Sequence, residues 1–178
     1  DTCKNIFRTG RAFNSARAAD MLSALGVDTP QVLFACEKRL AGVLLESYIA
    51  TRGIEAVNLV KAVERHGPQD AAAVARFIRR LHEMGVLAVD LKGENLLIDA
   101  GGRVHLIDLD RLKRRRYLSL NRIARNLSYL NASFARTLNP ETRLAFLGEY
   151  LKGNSTLEAR RQDLTERIRR LTHKRLAE

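Results

Sequence analysis

Tryptophan is absent from this 178-residue chain, and aromatic residues make up only 6% of it. That weighs against a surface for single-stranded nucleic acid, which needs aromatic faces for successive bases. Cysteine occurs twice, at Cys3 and Cys36, with no Cys-x-x-Cys pair, and the four histidines (His66, His82, His105, His173) are scattered. No Cys/His metal cage can be assembled from them, and the two thiols read as reduced, in a cytosolic protein. No apolar run approaches the roughly 20 residues that cross a bilayer, and the residues from Asp1 carry no signal-peptide pattern. There is no internal repeat and no low-complexity linker.

What the chain does have is positive charge. Thirty-one Lys and Arg against 20 Asp and Glu give a formal net charge of +11. This balance favours a polyanionic partner: nucleic acid, an anionic membrane face or a phosphorylated substrate. It also serves solubility alone. The 46% hydrophobic content suits one sizeable core.

Taken in order, Arg11 to Leu25 repeats apolar residues at helical spacing (Ala18, Met21, Leu22, Leu25) and stops at Gly26. Residues 31–35 and 42–50 are apolar or β-branched runs on either side of Glu37-Lys38-Arg39, which reads as the turn of an antiparallel hairpin. Glu55 to His66 reads as a helix. Gln69 to Met84 reads as the clearest one, with Val74, Phe77, Ile78 and Leu81 on one face and Gly85 as its stop. Three further helical stretches follow: one through Leu120 to Leu130, one opened by Pro140, and a last one expected to start at Ser155 as its N-cap. The order predicts an α+β fold, with a small strand-containing part over residues 1–53 and a helical part over 54–178.

The stretch 86–111, VLAVDLKGENLLIDAGGRVHLIDLDR, organises the rest. It sets Asp90, Asn95 and Asp108 five and thirteen residues apart, around two apolar runs joined by Asp99-Ala100-Gly101-Gly102. A hairpin brings its ends together, so the three polar side chains are expected to converge on one edge. Each of them alone is an ordinary turn residue or cap. Together with Lys92 they form a phosphoryl-transfer set. Asp90 would orient an acceptor hydroxyl as nucleophile. Lys92 would offset the charge of the transferring group. Asn95 and Asp108 would hold Mg2+ on nucleotide phosphates. His82 and His105 read as ordinary structural or surface histidines, and Asp110 as a partner of Arg111 rather than a further metal neighbour.

Asp90-Leu91-Lys92-Gly93-Glu94-Asn95 resembles the catalytic loop of the protein-kinase-like superfamily, and Asp108-Leu109-Asp110 resembles its metal-binding triplet. Ala88-Val89 stand where protein kinases carry His-Arg, Asp110 stands where they carry Gly, and no Ala-Pro-Glu segment follows. The chain is more similar to the bacterial kinases of the lipopolysaccharide core. The similarity lies in Leu81 to Arg111, in the Leu25 to Leu33 segment and in Glu46 to Ile49. The resemblance implies a two-lobe kinase-like fold with a truncated N-lobe and a mainly helical C-lobe. The first helix would be helix C, and Thr51, Arg52 and Gly53 would form the adenine hinge. It also implies ATP and Mg2+ as cofactors, and a Kdo or heptose hydroxyl of the inner core as acceptor. The place implied is the cytoplasmic face of the bacterial inner membrane.

No Gly-x-Gly-x-x-Gly precedes the first helix, and Lys4 is the only lysine before it. The phosphate loop and strand lysine are therefore expected upstream of residue 1. The alternative is a degenerate kinase-like module that binds a polyanion without catalysis. Two basic stretches bear on this: Arg111 to Arg116, and the last helix with Arg160, Arg161, Arg167, Arg169, Arg170, Lys174 and Arg175. The first would face a phosphorylated acceptor or an anionic leaflet. The second would lie on a membrane or contact RNA or DNA. Nucleic acid is the weakest of these partners.

Overall fold

The computed structural model describes residues 9–177, and Cys3 and Lys4 lie outside them. Helix α1 (Arg11–Ala24) ends in paired backbone bonds, Gly26 N to Ser23 O at 2.9 Å and Val27 N to Leu22 O at 2.9 Å. These satisfy carbonyls the helix would otherwise leave open. It packs on a two-stranded antiparallel sheet, β1 (Val32–Leu40) and β2 (Val43–Thr51).

The turn of that hairpin is not Glu37-Lys38-Arg39. Those residues continue β1, and the chain reverses at Ala41-Gly42, with φ of 48° and 82°. Two successive positive φ angles make the turn whose twist suits a two-residue hairpin. The charges that suggested a turn are used along and across the strands instead: Arg39 meets Glu37 at 2.7 Å, and Lys38 meets Glu46 at 3.5 Å.

Residues 55–66 also divide differently from the expected single helix. Ala56–Asn58 form β3, which pairs with β5, and only Leu59–His66 form a helix, α2. Asn58 causes the switch. Its side chain accepts from Lys61 N at 2.9 Å and starts the helix there. Helix α3 (Ala71–Glu83) follows as expected. Then come β4 (Val86–Ala88), β5 (Leu96–Asp99), β6 (Val104–Leu106) and β7 (Leu112–Arg114). β3, β5 and β6 form one antiparallel sheet; β4 and β7 form another.

Helices α4 (Leu120–Ser133), α5 (Pro140–Leu151), α6 (Ser155–Glu158) and α7 (Arg161–Ala177) complete the chain. Asn154, not Ser155, caps α6, accepting from Leu157 N at 3.1 Å, and the expected last helix is two. Leu22, Ile78, Val86, Leu96, Leu106 and Leu164 belong to one buried cluster, which includes α1 from the N-terminal side of residue 53. β1 and β2 contribute no fully buried residue, and Leu33, Phe34, Leu45 and Tyr48 are more than half exposed. Among the described residues no helix is long and apolar enough to cross a membrane.

Candidate active site

Helix α3 stops at Gly85, and β4 delivers the chain to Asp90. The loop beyond is wound tightly on itself. Lys92 N donates to Asp90 O at 2.9 Å, Asn95 N to Lys92 O at 3.1 Å, and the Asn95 side-chain amide to Asp90 O at 3.0 Å. Gly93 N donates to the Ser133 hydroxyl at 3.1 Å, which ties the loop to α4. The Lys92 ammonium lies 3.3 Å from the Asp90 carboxylate, and both remain partly exposed. With its Nδ2 committed to the backbone, Asn95 keeps its side-chain oxygen available to a ligand.

The hairpin closes as the two apolar runs around a turn predict. Ile107 N donates to Asn95 O at 3.0 Å, bringing the exit of β6 onto the catalytic-type loop. Asp108 follows in the left-handed region, with φ of 58°. Aspartate tolerates that region better than most residues, and strain of this kind is typical of functional sites. The Asp108 side chain is 44% exposed, whereas that of Asp110 is only 9% exposed. Asp110 is not the partner of Arg111. It takes Arg11 Nε from the start of α1 at 2.5 Å, and a second nitrogen of Arg11 lies 3.8 Å from Asp108. The Asp110 hydrogen bond is the main cause of a raised Arg11 pKa. One carboxylate of the pair thus fixes α1, and the other stays open.

Asp108 and Asn95 are hard oxygen donors, as Mg2+ prefers. That ion is usually held by one or two protein groups plus substrate phosphates rather than by a full protein cage. The described residues contain no cluster of three Asp, Glu, His or Cys side chains able to form such a cage. The set fits Mg2+ brought in with a polyphosphate. It can orient a hydroxyl at Asp90, offset phosphoryl charge at Lys92 and hold a cation between Asn95 and Asp108.

Two supports were not legible as such in the sequence. His82 is buried between Tyr150 and Asn126, with 2.8 Å to each. Asn126 in turn donates to Ala88 O at 2.5 Å. The proton pattern is fixed by that last bond: Asn126 must accept from His82 Nε2, so His82 Nδ1 accepts from the Tyr150 hydroxyl. This needs a neutral ring, and burial pushes the His82 pKa down to about 4. The chain of bonds anchors β4 two residues before Asp90. On the other side, the Thr29 hydroxyl donates to Leu106 O at 2.7 Å, two residues before Asp108. The reading of His82 as structural holds, and its signal was a lone histidine on the apolar face of α3.

The expected hinge residues fall in a different group. Thr51 ends β2 opposite Val32, and Arg52 N donates to Gln31 O at 2.8 Å. Arg52 and Gly53 line a cleft with Asp28, Gln31, Asp99 and His105, none of them from the catalytic-type loop. Asp99 is the hairpin-turn residue expected. Its carboxylate is held well below the usual range, first by the His105 hydrogen bond at 3.1 Å and then by Arg103. A second, apolar cavity of about 460 Å3 lies among α2, α3, α4, α5 and α7, bordered by Leu59, Leu127, Phe134, Phe146 and Ile168.

A profile of the lipopolysaccharide kinase (Kdo/WaaP) family matches residues 2–173. The chain belongs to that family. Among solved structures, WaaP in complex with acyl carrier protein superposes with a TM-score of 0.71 at 23% identity, covering 92% of this chain and 76% of that one. The bifunctional kinase-methyltransferase WbdD superposes at 0.53 with 16% identity, over 91% of this chain and 40% of that one. These likenesses establish the kinase-like α+β fold of this Kdo/WaaP family member. A search of curated protein sequences finds no match to it.

Proposed function

We propose that this family member transfers a phosphoryl group from ATP to a sugar hydroxyl, Kdo or heptose, of the lipopolysaccharide inner core. The observation that supports this most directly is the Asp90–Lys92 pair at 3.3 Å on a loop to which Ile107, the residue before Asp108, is bonded through Asn95 O at 3.0 Å. Asp90 accepts the hydrogen bond of the acceptor hydroxyl and takes up its proton as the oxygen attacks. Lys92, now 3.3 Å from Asp90, offsets negative charge on the group in transit. Asn95 and Asp108 would hold Mg2+, which would supply charge neutralisation on the phosphates. Thr51, Arg52 and Gly53 are assigned to the adenine. Little covalent chemistry is asked of the protein, because phosphoryl transfer is mostly positioning and charge stabilisation.

The test is transfer of labelled phosphate from ATP to lipid A carrying Kdo, or Kdo and heptose. Asp90→Ala and Asp108→Ala are each expected to lower the rate at least about 100-fold, with unchanged circular dichroism. Full activity in either variant overturns the assignment. A second reading, a module that binds a polyanion without catalysis, is favoured by the five exposed cations of Arg111 to Arg116, none of which makes an ion pair among the described residues. Calorimetry separates the two, since absent Mg·ATP binding supports the module.

The acceptor is assigned to the cytoplasmic face of the inner membrane, with the enzyme peripheral to it. We also assign acyl carrier protein as a partner. The WaaP complex motivates this, and the 460 Å3 apolar cavity is of ordinary ligand-site size.

A further inference from the structure

We infer that the β7 segment, Arg111 to Tyr117, is the surface by which this protein docks on an anionic phospholipid bilayer. The inference rests on the reading above that the acceptor is held in a membrane, and it names the face that meets the lipid.

Residues 111–116 read RLKRRR, five cations and no acid. Arg111, Lys113, Arg114, Arg115 and Arg116 are all exposed, and among the described residues none makes an ion pair. The backbone beneath them is rigid. Val86 pairs with Arg114, Leu87 with Lys113 and Ala88 with Leu112. Arg115 N adds a bond to Gly85 O at 2.8 Å. Cross-strand partners share a face, so Leu112 lies on the buried side of Val86 and Ala88, and Lys113 lies on the outer side. Arg114 shares the face of Val86 and is nevertheless exposed. Next to this strip stands Tyr117, 73% exposed, with the Arg116 guanidinium 5.3 Å above its ring. A polar-tipped aromatic beside a run of Arg and Lys suits the boundary between head groups and acyl chains. It does not suit base stacking, which needs several aromatic platforms.

The other basic stretch lacks this character. Arg160, just before α7, and Arg167 on it share Asp163, Arg169 pairs with Glu166, and Arg175 lies 3.3 Å over the Tyr129 ring. Arg161, Arg170 and Lys174 are left. Arg161 is nine residues from Arg170, half a turn round the helix, so the three form no single strip. Position also favours β7. It follows Asp108 and Asp110 directly and pairs with the strand that leads into Asp90, so docking there sets the catalytic loop close to the lipid surface.

The test is sedimentation of the full chain with large unilamellar vesicles, without nucleotide or acceptor, so that its outcome is independent of catalysis. With phosphatidylglycerol in phosphatidylcholine at one part in four, binding is expected at about 0.1 M salt, and with pure phosphatidylcholine none. Each basic side chain near such a surface is worth about five-fold in affinity. Replacing Lys113, Arg114, Arg115 and Arg116 with Gln should therefore weaken binding by roughly 600-fold. Replacing Arg161, Arg169, Arg170 and Lys174 with Gln removes the same charge and should cost less than about 10-fold. Asp90→Ala should bind vesicles like the parent chain.

A second measurement leaves the charges in place. The chain has no tryptophan, so Tyr117→Trp is a lone reporter. Its emission should shift to the blue on anionic vesicles and be quenched by brominated lipid. Equal losses from the two four-residue variants, equal binding to pure phosphatidylcholine, an unshifted reporter, or an oligonucleotide that binds the strip more tightly than the vesicles would each overturn the inference.

Discussion

Residues 111–116 hold five cations in six positions; α7 holds six in seventeen. In the sequence both look like basic surfaces. In the fold they differ in what the charge is paired with. The α7 cations sit among acids at three- and four-residue spacing, where Asp163 and Glu166 can reach them. Its apolar side, Leu164 and Ile168, is buried against the rest of the helical half. The β7 cations have no acid on their own strand, and the facing strand, Val86–Ala88, is apolar. A helix that carries its own counter-charges uses arginine for packing and solvation. A strand that carries none leaves its charge for a partner. Counting cations does not separate these cases; the position of the nearest acid does.

The largest effect that tests this contrast is on stability. Leu164 is fully buried, and Leu164→Ala should cost about 2–5 kcal/mol in urea unfolding. The four Gln substitutions on β7 should stay within about 0.5 kcal/mol each. A comparable loss from the β7 set would mean that the strip is structural and the comparison fails.

Acid comes next, because it acts on the core that both regions share. His82 stays neutral in the fold down to about pH 4, but ionises near 6.5 when unfolded. Below pH 6.5 the unfolded chain therefore binds the extra proton. Stability is full above that point and falls, by roughly 3 kcal/mol, as pH drops towards 4. Urea midpoints at pH 7 and pH 5 should show the slope, and His82→Gln should flatten it. An unchanged slope in the variant rules out His82 as its source. The α7 carboxylates Asp163 and Glu166, held down by hydrogen bonds from Arg167 and Arg169 respectively, lose their contribution only at still lower pH.

The smallest effect sharpens the contrast most. Arg175→Ala removes the contact over Tyr129 and the 3.1 Å bond to the Ser128 hydroxyl, and should cost about 1 kcal/mol. Arg114→Ala, with no such contact, should be near neutral. Thermal melts of the two variants side by side provide the comparison.

The central hairpin was legible because two apolar runs joined by turn residues are a local signal, and it sets Asn95 and Asp108 just outside its two ends. The first hairpin's turn was misplaced because Glu37-Lys38-Arg39 looks like a loop, until Glu46 appears across the strand. β3 was read as helix because three residues are too few to show a period, and its reason for being a strand, β5, lies some forty residues on. The Arg11–Asp110 bond and the His82–Asn126–Ala88 chain join residues far apart, which no spacing rule reaches. Charge in a sequence does not announce its partner either, so the two basic stretches could not be told apart before folding.

Gly85 has φ of 74°, and a Cβ there would stand 1.9 Å from Arg115 O. The missing methyl lets two backbones touch, and that contact sets the register between the strand that enters the catalytic loop and the strand that carries the cations. Lys113 faces Leu87, three residues before Asp90, a run of about 10 Å at strand rise. With β7 resting on head groups, that short run acts as a gauge of height. Among the hydroxyls of a membrane-borne sugar chain, the one presented at that altitude would be phosphorylated, and those nearer or farther from the lipid would be passed over.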